Sequence, residues 1–462
     1  MTGRWVGDHN LALLTDLYEL TMAGAYFASG IGGEATFELS VRSLPPTRNF
    51  LVAAGIDDAV DSLQIMRFGP AEIAYLETLG RFDAGFLEYL ASWRFDGEVW
   101  AIPEGTVCFG AEPLFGVTAP LIDAQIVETL LLNTIGFQTL VASKASRVQI
   151  AAGGRPFVDF GARRSHGADA ALRAARAAYI GGASATSMVL AGAVFGIPVT
   201  GTMAHSYVMR HSSEMEAFLS FSRSHPDDAV LLIDTYDTVN GAGVAVAAAR
   251  ELAAEGIRVR AVRLDSGDLA ALAAEVRAIL DDAGLPRIEI FASGALDEHR
   301  VAALVAAGAP IDGFGVGTAM VVGADAPSLD IIYKMVHGPD GPVMKTSPGK
   351  VSLPGVHQVY RVSGADGWEG DIIALIEEAD LPGVPLLAEV MTRGRRTVPA
   401  ATAREARGRC AEGLAAMPAQ LGDLDAAAAP PYPVDISGPL AALAARLSGE
   451  TLDWRLDHRG NS

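Results

Sequence analysis

The middle of the chain alternates between short apolar runs and helical segments, and this alternation restricts the fold more than any other feature. In chain order the predicted elements are the strand Ala229–Ile233, the helix Ala242–Glu255, the strand Val259–Leu264, the helix Leu269–Ala283, the strand Ile288–Ala292, the helix Asp297–Ala307 and the strand Gly313–Val316. Strands and helices that alternate across short glycine-containing junctions are typical of βα units around a parallel sheet. The number of units between about Thr139 and Lys334 predicts a closed or nearly closed barrel rather than an open doubly wound sheet.

The N-terminal segment, residues 1–135, has a different pattern. It contains a predicted helix over Leu17–Ser29. Asp16 and Glu19 form a capping-box-like pair at its start, and Gly30 ends it. Strand-like runs follow at Ala35–Ser40 and Glu98–Ile102. This mixture is typical of an α/β domain rather than of further barrel units.

The C-terminal segment, residues 346–462, is richer in proline and glycine and again strand-like, as at Gln358–Val362. Residues 426–433 (AAAAPPYP) predict a linker before a last amphipathic helix, Pro439–Leu447. A chain of 462 residues exceeds the usual size of one core. We therefore predict the α/β class, with an irregular β/α barrel over residues 136–345 inserted between the two halves of a smaller α/β domain.

The net charge of the chain restricts the kinds of molecule that it can bind. The net charge of −20 would repel nucleic acid over most of the surface, so an anionic small substrate requires a locally basic pocket.

Three features bear on location. The two cysteines, Cys108 and Cys410, lie far apart and fit a reducing compartment without a disulfide or a zinc site. The stretch Ala177–Ala204 has no charged residue, but its many glycine, serine and threonine residues favour a helix end, a buried strand over Ile197–Thr200 and a loop over a membrane span. Residues 1–14 do not fit a signal peptide. We expect a cytoplasmic protein that is not inserted in a membrane.

Small residues at two late strand ends suggest a phosphate site. Ser293-Gly294 and Gly317-Thr318 each follow a predicted strand and precede a helix, where backbone N–H groups point outward and the helix dipole favours an anion. Ordinary tight βα turns have the same composition, so both interpretations remain open from the residues alone.

Charged and polar side chains follow other strands. Arg163 and Arg164 are suited to binding a carboxylate or phosphate, or form surface ion pairs at a helix start. His205 follows the predicted strand at 197–200 and could act as a base, as a nucleophile toward phosphorus, or as a satisfied polar residue at a strand end. Asp234 and Thr235 suit Mg²⁺ or ribose hydroxyls, or cap a helix.

Taken in order, the motifs resemble the nicotinate phosphoribosyltransferase family, whose members have the type II phosphoribosyltransferase fold. The matching segments are Leu13–Ala23, Ala35–Gly55, FGARRSHG from Phe160, GTMAHSYV from Gly201, LIDTYDT from Leu232, Val262–Leu269, Ala292–Glu298 and Gly313–Thr318. Each alone is a modest signal, but eight in the same order are specific.

The resemblance implies a role for each matching position. His205 is the histidine that ATP phosphorylates, and Arg263 and Asp265 join it as catalytic residues. Tyr18 stacks on the pyridine ring across a dimer interface. The remaining substrate-binding positions are Phe160, Arg163, Arg164, Asp234, Thr235, Ser266, Asp268, Ser293, Gly294, Gly315, Gly317 and Thr318. Among these, the last five hold the 5′-phosphate, Arg164 with Arg263 receives the nicotinate carboxylate and the pyrophosphate, and Asp234 with Asp265 binds Mg²⁺.

The resemblance further implies the reaction and its partners. We expect nicotinate and phosphoribosyl pyrophosphate to give nicotinate mononucleotide and pyrophosphate, with ATP hydrolysis coupled through a phosphohistidine, in an NAD-salvage enzyme of the ligase class that forms homodimers with shared sites. Three alternatives remain: a nicotinamide- or quinolinate-type phosphoribosyltransferase on the same fold, a type I phosphoribosyltransferase, and a non-catalytic phosphate-binding barrel. The type I motif requires an adjacent acid pair, which Asp234-Thr235 lacks.

Overall fold

The structure is a computed structural model that describes residues 6–347, 352–365, 367–425 and 430–449. It divides into two compact units. The central unit is Val141–Pro327, and the second unit combines the residues up to Leu140 with those from Ser328 onward. The predicted barrel segment, by comparison, runs from 136 to 345.

The N-terminal segment contains helices and antiparallel strands. Its elements are α1 (Leu17–Ser29), β1 (Glu34–Val41), β2 (Leu51–Val52), α2 (Ile56–Ile65), α3 (Pro70–Thr78), α4 (Ala84–Ser92), β3 (Glu98–Ala101), β4 (Val107–Cys108), β5 (Pro113–Pro120), α5 (Leu121–Ile126) and α6 (Glu128–Ala151), which continues into the central unit.

Helix α1 has the predicted bounds, and Gly30 ends it in the left-handed region at φ 64°. The predicted capping box is wrong. The Asp16 carboxylate accepts a hydrogen bond from Thr129 Oγ1 at 3.1 Å, and the Glu19 carboxylate accepts one from Gln125 Nε2 at 2.7 Å. Both side chains therefore turn toward residues beyond their own helix.

The central unit alternates strands and helices throughout. Its elements are β6 (Phe157–Asp159), α7 (Ala168–Ile180), β7 (Ala185–Thr186), α8 (Val189–Phe195), α9 (His205–Arg210), α10 (Glu214–Ser224), β8 (Ala229–Leu232), α11 (Thr238–Ala254), β9 (Val259–Leu264), α12 (Leu269–Asp282), β10 (Glu289–Ala292), α13 (Glu298–Ala306), β11 (Gly313–Val316) and α14 (Thr318–Val321).

These strands form one parallel sheet in the order β7-β6-β11-β10-β9-β8. Strands β6, β8 and β11 are buried along their whole length, as expected for a parallel sheet with covered faces. The α/β class is confirmed. The sheet is an irregular half-barrel, because its end strands β7 and β8 are not hydrogen-bonded to each other in the described structure.

The chain between β7 and β8 corrects one predicted element. A buried strand was expected over Ile197–Thr200, but only a single bridge forms there, between Thr186 and Val199. The Val199 side chain is exposed, so this segment lacks the burial that would extend the sheet. The charge-free stretch 177–204 folds into the end of α7, β7, α8 and turns, and no helix in the described ranges is long and apolar enough to cross a membrane.

The C-terminal segment is mainly antiparallel. Its elements are β12 (Ile331–Gly338), β13 (Gly341–Pro342), β14 (His357–Gly364), β15 (Gly367–Leu375), β16 (Val384–Pro385), β17 (Ala388–Thr392), β18 (Arg395–Arg396), α15 (Ala403–Ala416), β19 (Val434–Ile436) and α16 (Gly438–Ser448).

Strand β12 belongs to the second unit because it pairs antiparallel with β1 from Val41↔Ile331 to Thr36↔His337. These strands are part of a seven-stranded sheet, β13-β12-β1-β5-β3-β17-β18. A second sheet, β16-β14-β15-β19, is built entirely from the C-terminal segment. The second unit was predicted to be the smaller domain. With these two sheets it instead spans more of the chain than the central unit.

The predicted linker at 426–433 lies partly outside the described residues, which resume at Pro430. Its described part is packed rather than free. The buried Tyr432 ring stacks on Phe109 with centroids 3.7 Å apart, and its hydroxyl donates to Asp371 Oδ1 at 2.9 Å. The last helix is confirmed and extends one residue beyond each predicted end.

Candidate active site

Arg263, near the end of β9, is the centre of a hydrogen-bond network at the carboxyl edge of the parallel sheet. Its Nε donates to Ser293 Oγ at 2.8 Å, Nη1 to Thr202 Oγ1 at 2.8 Å and Nη2 to Asp265 Oδ1 at 2.9 Å. The guanidinium also lies over the Phe160 ring, 5.3 Å from its centroid. Every nitrogen of the planar fork is thus engaged, which fixes the orientation of the cation.

Asp265 is the counter-charge of this network. Its Oδ1 also accepts a hydrogen bond from Ser293 Oγ at 2.6 Å. Burial raises the pKa of the carboxyl, but the Ser293 hydroxyl and the Arg263 guanidinium outweigh burial, and the pKa lies below its ordinary value. Asp265 is therefore ionised at neutral pH.

His205 is the first residue of α9 and lies beside the carboxylate. Its Nδ1 is 3.2 Å from Thr235 Oγ1, and its Nε2 is 3.8 Å from Asp265 Oδ2. The His205 side chain is 40% exposed. The histidine thus lies within the cluster of polar strand-end residues, although the strand predicted before it does not form.

The two carboxylate oxygens of Asp234 differ in their hydrogen bonding. Oδ2 accepts hydrogen bonds from the Asp265 backbone N–H at 3.1 Å and from Ser266 Oγ at 2.6 Å. Oδ1 is buried and has no hydrogen-bond partner among the described residues. A buried unsatisfied carboxylate oxygen is costly, and a cation or a ribose hydroxyl would satisfy it.

The donor set at Asp234 and Asp265 fits Mg²⁺, which prefers oxygen ligands and usually binds through one or two carboxylates together with substrate phosphates. Across the described ranges there is no group of three or more His, Cys, Asp or Glu side chains that could hold a metal ion. The residues therefore fit a magnesium ion that arrives with a phosphate substrate better than a site made of protein ligands alone.

The two proposed phosphate turns lie at neighbouring strands, since β10 and β11 pair through Ala292↔Phe314. Gly294 has φ 97°, and a Cβ there would lie 1.9 Å from the Asp265 carbonyl oxygen. A Cβ at Gly315 would lie 2.6 Å from the Phe160 ring. Both glycines are thus required by close approaches within the site.

The next turn is partly exposed, with Gly317 half-buried and Thr318 exposed at the start of α14. Asp268, by contrast, is a helix cap: its Oδ1 accepts hydrogen bonds from two backbone N–H groups of α12.

The remaining cations are separate from the Arg263 network. Arg163 and Arg164 lie in a short 3-10 helix after β6, and both side chains are exposed. Neither forms an ion pair within the described part of the chain, so they do not form the surface ion pairs considered as the alternative. They remain exposed cations available to an anion.

Tyr18 belongs to α1 in the other unit, and its ring is 46% exposed. Burial and hydrogen bonding to Glu19 raise the pKa of its hydroxyl far above the ordinary value, so it stays protonated. The neighbouring Glu19 is fully buried, and burial raises its pKa to about 7.

Thr202 is the residue that sequence reasoning missed. It stands three positions before His205 in the GTMAHSYV motif, and its hydroxyl accepts one of the three Arg263 hydrogen bonds. Its place inside the motif was the available signal. A lone threonine in a glycine-rich loop does not itself predict an arginine partner.

Comparisons with known proteins identify the family. The model of the nicotinate phosphoribosyltransferase N-terminal domain matches residues 13–136, and that of the nicotinate phosphoribosyltransferase family matches residues 156–336. Nicotinate phosphoribosyltransferase pncB2 of Mycobacterium tuberculosis is 49% identical over 443 residues, covering 96% of this chain and 95% of the relative. The Bacillus subtilis nicotinate phosphoribosyltransferase is 42% identical over 381 residues, with 80% and 77% covered.

Solved structures give the same result. The crystal structure of human nicotinic acid phosphoribosyltransferase has a TM-score of 0.84 at 28% identity, covering 94% of this chain and 99% of that chain. That of nicotinate-nucleotide pyrophosphorylase from Pyrococcus furiosus has a TM-score of 0.73 at 26% identity, covering 90% and 98%. By its family models, its relatives and its fold, the chain belongs to the nicotinate phosphoribosyltransferase family.

Proposed function

We propose that this enzyme joins nicotinate to phosphoribosyl pyrophosphate, giving nicotinate mononucleotide and pyrophosphate, and couples the reaction to ATP hydrolysis through His205. The network in which Arg263 binds Asp265, Ser293 and Thr202, with the imidazole 3.8 Å from the same carboxylate, carries the proposal. In this network the Arg263 cation, the ionised Asp265 carboxylate and the partly exposed His205 imidazole lie together at the carboxyl edge of the parallel sheet. The relatives named nicotinate phosphoribosyltransferase supply the substrate class.

The ribosyl transfer needs positioning more than acid–base chemistry. The pyridine nitrogen attacks the anomeric carbon while the bond from that carbon to the pyrophosphate oxygen breaks, and positive charge develops on the ribose ring. Ionised Asp265 stabilises that charge, and Arg263 with Arg164 receives the nicotinate carboxylate and the leaving pyrophosphate. Ser293, Gly294 and the turn at 315–318 would hold the 5′-phosphate through backbone N–H groups.

Asp234 and Asp265 would hold Mg²⁺ when it is bound. Bound by these two carboxylates, Mg²⁺ would supply positive charge to offset that of the departing pyrophosphate. The unsatisfied Oδ1 of Asp234 supports this assignment. The chain's own contribution is to fix that carboxylate through Ser266 Oγ at 2.6 Å.

His205 would couple ATP to the transfer. Its Nε2 attacks the γ-phosphorus of ATP, the bond from phosphorus to the ADP oxygen breaks, and water later hydrolyses the resulting phosphorus–nitrogen bond. The Thr235 hydroxyl, 3.2 Å from Nδ1, would hold the ring and leave Nε2 as the attacking nitrogen. We assign the protein to the ligase class on this basis.

The experiment that tests the proposal is nicotinate-dependent pyrophosphate release, with and without ATP, for wild type and His205→Ala. We expect ATP to stimulate the wild type by roughly 5- to 150-fold, the range that corresponds to a coupling free energy of about 1–3 kcal/mol, and not to stimulate the variant. His225→Ala, which removes an exposed histidine stacked on Phe221, is the matched control and should keep the stimulation.

Each other outcome has a defined meaning. Equal ATP stimulation in His205→Ala would refute the phosphohistidine and leave the transferase activity standing. Turnover of nicotinamide instead of nicotinate would replace the substrate. Absence of turnover with either pyridine would favour the non-catalytic alternative.

We further propose a homodimer in which Tyr18 of one subunit stacks on the pyridine bound by the other. Helix α8 supports a subunit contact, because Val189, Leu190 and Val194 are each at least half exposed. On α1, Leu17 is also exposed beside Tyr18. Apolar side chains exposed in this way are typical of surfaces that another chain covers.

Mixing subunits tests the shared site. Tyr18→Ala and His205→Ala chains, each nearly inactive alone, should regain about a quarter of wild-type activity when dissociated and reassociated in equal amounts. The estimate assumes statistical pairing, so that half the dimers are mixed and each carries one intact site. Verified mixed dimers without activity would show that each site is made by one chain.

We also propose that the enzyme works in the cytoplasm. Cys108 and Cys410 are both buried and free, as in proteins of reducing compartments.

A further inference from the structure

A buried cluster of opposite charges lies in the central unit, away from the Arg263 network. Lys144 Nζ is 2.7 Å from Glu298 Oε2 and 2.9 Å from Asp325 Oδ1. Arg147 Nε is 3.1 Å from Glu298 Oε1. The Lys144 side chain is only 3% exposed and that of Glu298 is fully buried, so this is an ion cluster of the interior.

The two acids occupy particular places in the fold. Glu298 is the first residue of α13, the helix that follows the Ser293-Gly294 turn. Asp325 lies in the turn after α14, the helix that begins at Thr318. One ammonium group therefore connects the elements that follow both proposed phosphate turns.

Strand pairing holds the start of each turn but does not join one turn to the other. Strands β10 and β11 are hydrogen-bonded up to Ala292↔Phe314, and β11 then pairs with β6 up to Val316↔Asp159. Beyond that point no backbone hydrogen bond joins residues 293–298 to residues 317–325 in the described structure. The side-chain bridge from Glu298 through Lys144 to Asp325 links these two segments.

Stability alone is a weak reason for such a cluster. Desolvation of buried charges offsets most of their attraction, so buried ion pairs often add little to the free energy of unfolding. Their better-attested effect is to select one arrangement of the elements that they join. Burial raises the pKa of Glu298, but Lys144 and Arg147 outweigh it and the pKa lies below its ordinary value, so the acid is charged.

We propose that Lys144 is a positioning residue for the phosphate cradle, holding the Ser293-Gly294 and Gly317-Thr318 turns at a fixed separation through Glu298 and Asp325. The inference rests on the proposed function, which places the 5′-phosphate between these turns. Lys144 itself touches no substrate. Its effect should fall on the ligand that the two turns share, and not on nicotinate.

Steady-state kinetics of Lys144→Met test this selectivity. The KM for phosphoribosyl pyrophosphate should rise roughly 10- to 100-fold, because a displacement of about 1 Å in binding groups costs up to about 10²-fold. The KM for nicotinate should change less than about twofold. Ribose 5-phosphate carries only the phosphate in question, so its inhibition constant should rise as steeply, whereas that of inorganic pyrophosphate should not.

Arg361→Met is the matched control. Arg361 forms a buried ion pair with Asp371 at 2.6 Å in the other unit and has no part in the proposed site. It should lower the thermal stability without raising the KM for phosphoribosyl pyrophosphate. If both variants raise that KM alike, general destabilisation explains the effect and the positioning role is refuted.

A double-mutant cycle keeps the proposal testable if Lys144→Met does not fold. Glu298→Gln and Asp325→Asn each cut one arm of the bridge, and calorimetry gives the Kd for ribose 5-phosphate. Because either cut already disconnects the turns, the double variant should bind no more weakly than the weaker single variant. Fold-losses that multiply would show two independent effects and overturn the bridge.

Binding of ribose 5-phosphate to the wild-type protein distinguishes failure of the positioning role of Lys144 from failure of the proposed function. A wild-type protein that binds ribose 5-phosphate, with variants that bind it equally well, refutes the role of Lys144 alone. A wild type that binds neither ribose 5-phosphate nor phosphoribosyl pyrophosphate refutes the proposed function, and this inference with it.

Discussion

Replacing Arg263 with alanine is expected to lower kcat/KM for phosphoribosyl pyrophosphate by roughly 10³-fold, because loss of one preorganised donor at a developing charge already costs about 10²- to 10³-fold. The substitution removes three hydrogen bonds, to Ser293, Thr202 and Asp265, and leaves that carboxylate without its cation. Arg263→Lys should lose nearly as much, since an ammonium cannot reproduce the planar fork. Pyrophosphate release under subsaturating substrate measures the effect.

Arg260 provides the control on the same strand. Its guanidinium is 53% exposed and pairs with Asp228 and Glu289 at the protein surface. Arg260→Ala should therefore keep kcat/KM within about twofold of wild type, as surface ion pairs contribute little. If Arg263→Ala retained a tenth or more of wild-type activity, the network would not be the catalytic centre.

Gly294→Ala should both destabilise the central unit and abolish most activity. A positive φ costs a residue with a Cβ about 1–2 kcal/mol, and here the new methyl would also lie 1.9 Å from the Asp265 carbonyl oxygen. Relief of that clash must move the Ser293 turn or the end of β9. We expect a loss of roughly 3 kcal/mol or more in the free energy of unfolding, in the upper range for single substitutions.

Gly308→Ala isolates the backbone contribution. Gly308 also has a positive φ, 66°, but nothing lies within 4 Å of the added Cβ. Urea unfolding should show a loss of about 1–2 kcal/mol and activity should be unchanged. Similar losses in the two variants would mean that the close approach at Gly294 does not matter.

The elements predicted best from sequence are those whose pattern is local. Helix α1 and strands β9 and β11 have the predicted bounds. In each, the apolar pattern and a following glycine or strand-end polar residue lie within the same short window. The α/β class followed from the same local signals, because alternation of such elements admits few arrangements.

The predictions that were wrong concern residues whose structure depends on a partner far away in the sequence. The apolar run at 197–200 lacks a neighbouring strand to pair along its length, so only one bridge forms. Asp16 finds Thr129, and Tyr432 packs on Phe109, in both cases across more than a hundred residues of sequence. Periodicity carries no information about these partners.

The candidate site shows the same division. His205, Arg263 and Asp265 were found through motif order, but the hydrogen bond from Arg263 to Thr202 could not be predicted, because it depends on how the chain between β7 and β8 folds back. Lys144 gave no signal either. From sequence, a lysine in a helix is expected to be solvated, whereas this one is buried.

The paired strands and the open edge of the parallel sheet support different parts of the site. Arg263 lies within β9, and Asp265 and Ser293 directly follow β9 and β10. Both strands are hydrogen-bonded to a neighbour on each side, so displacing these residues would disturb backbone hydrogen bonds of the sheet. His205 lies instead on the segment between the two end strands, β7 and β8, each of which is paired on one side only. Under the proposed mechanism, a phosphoryl group on His205 would add charge and volume to a segment that lies outside the ladder of the parallel sheet. The energy-coupling step would then take place next to a binding cradle that the ladder holds in position.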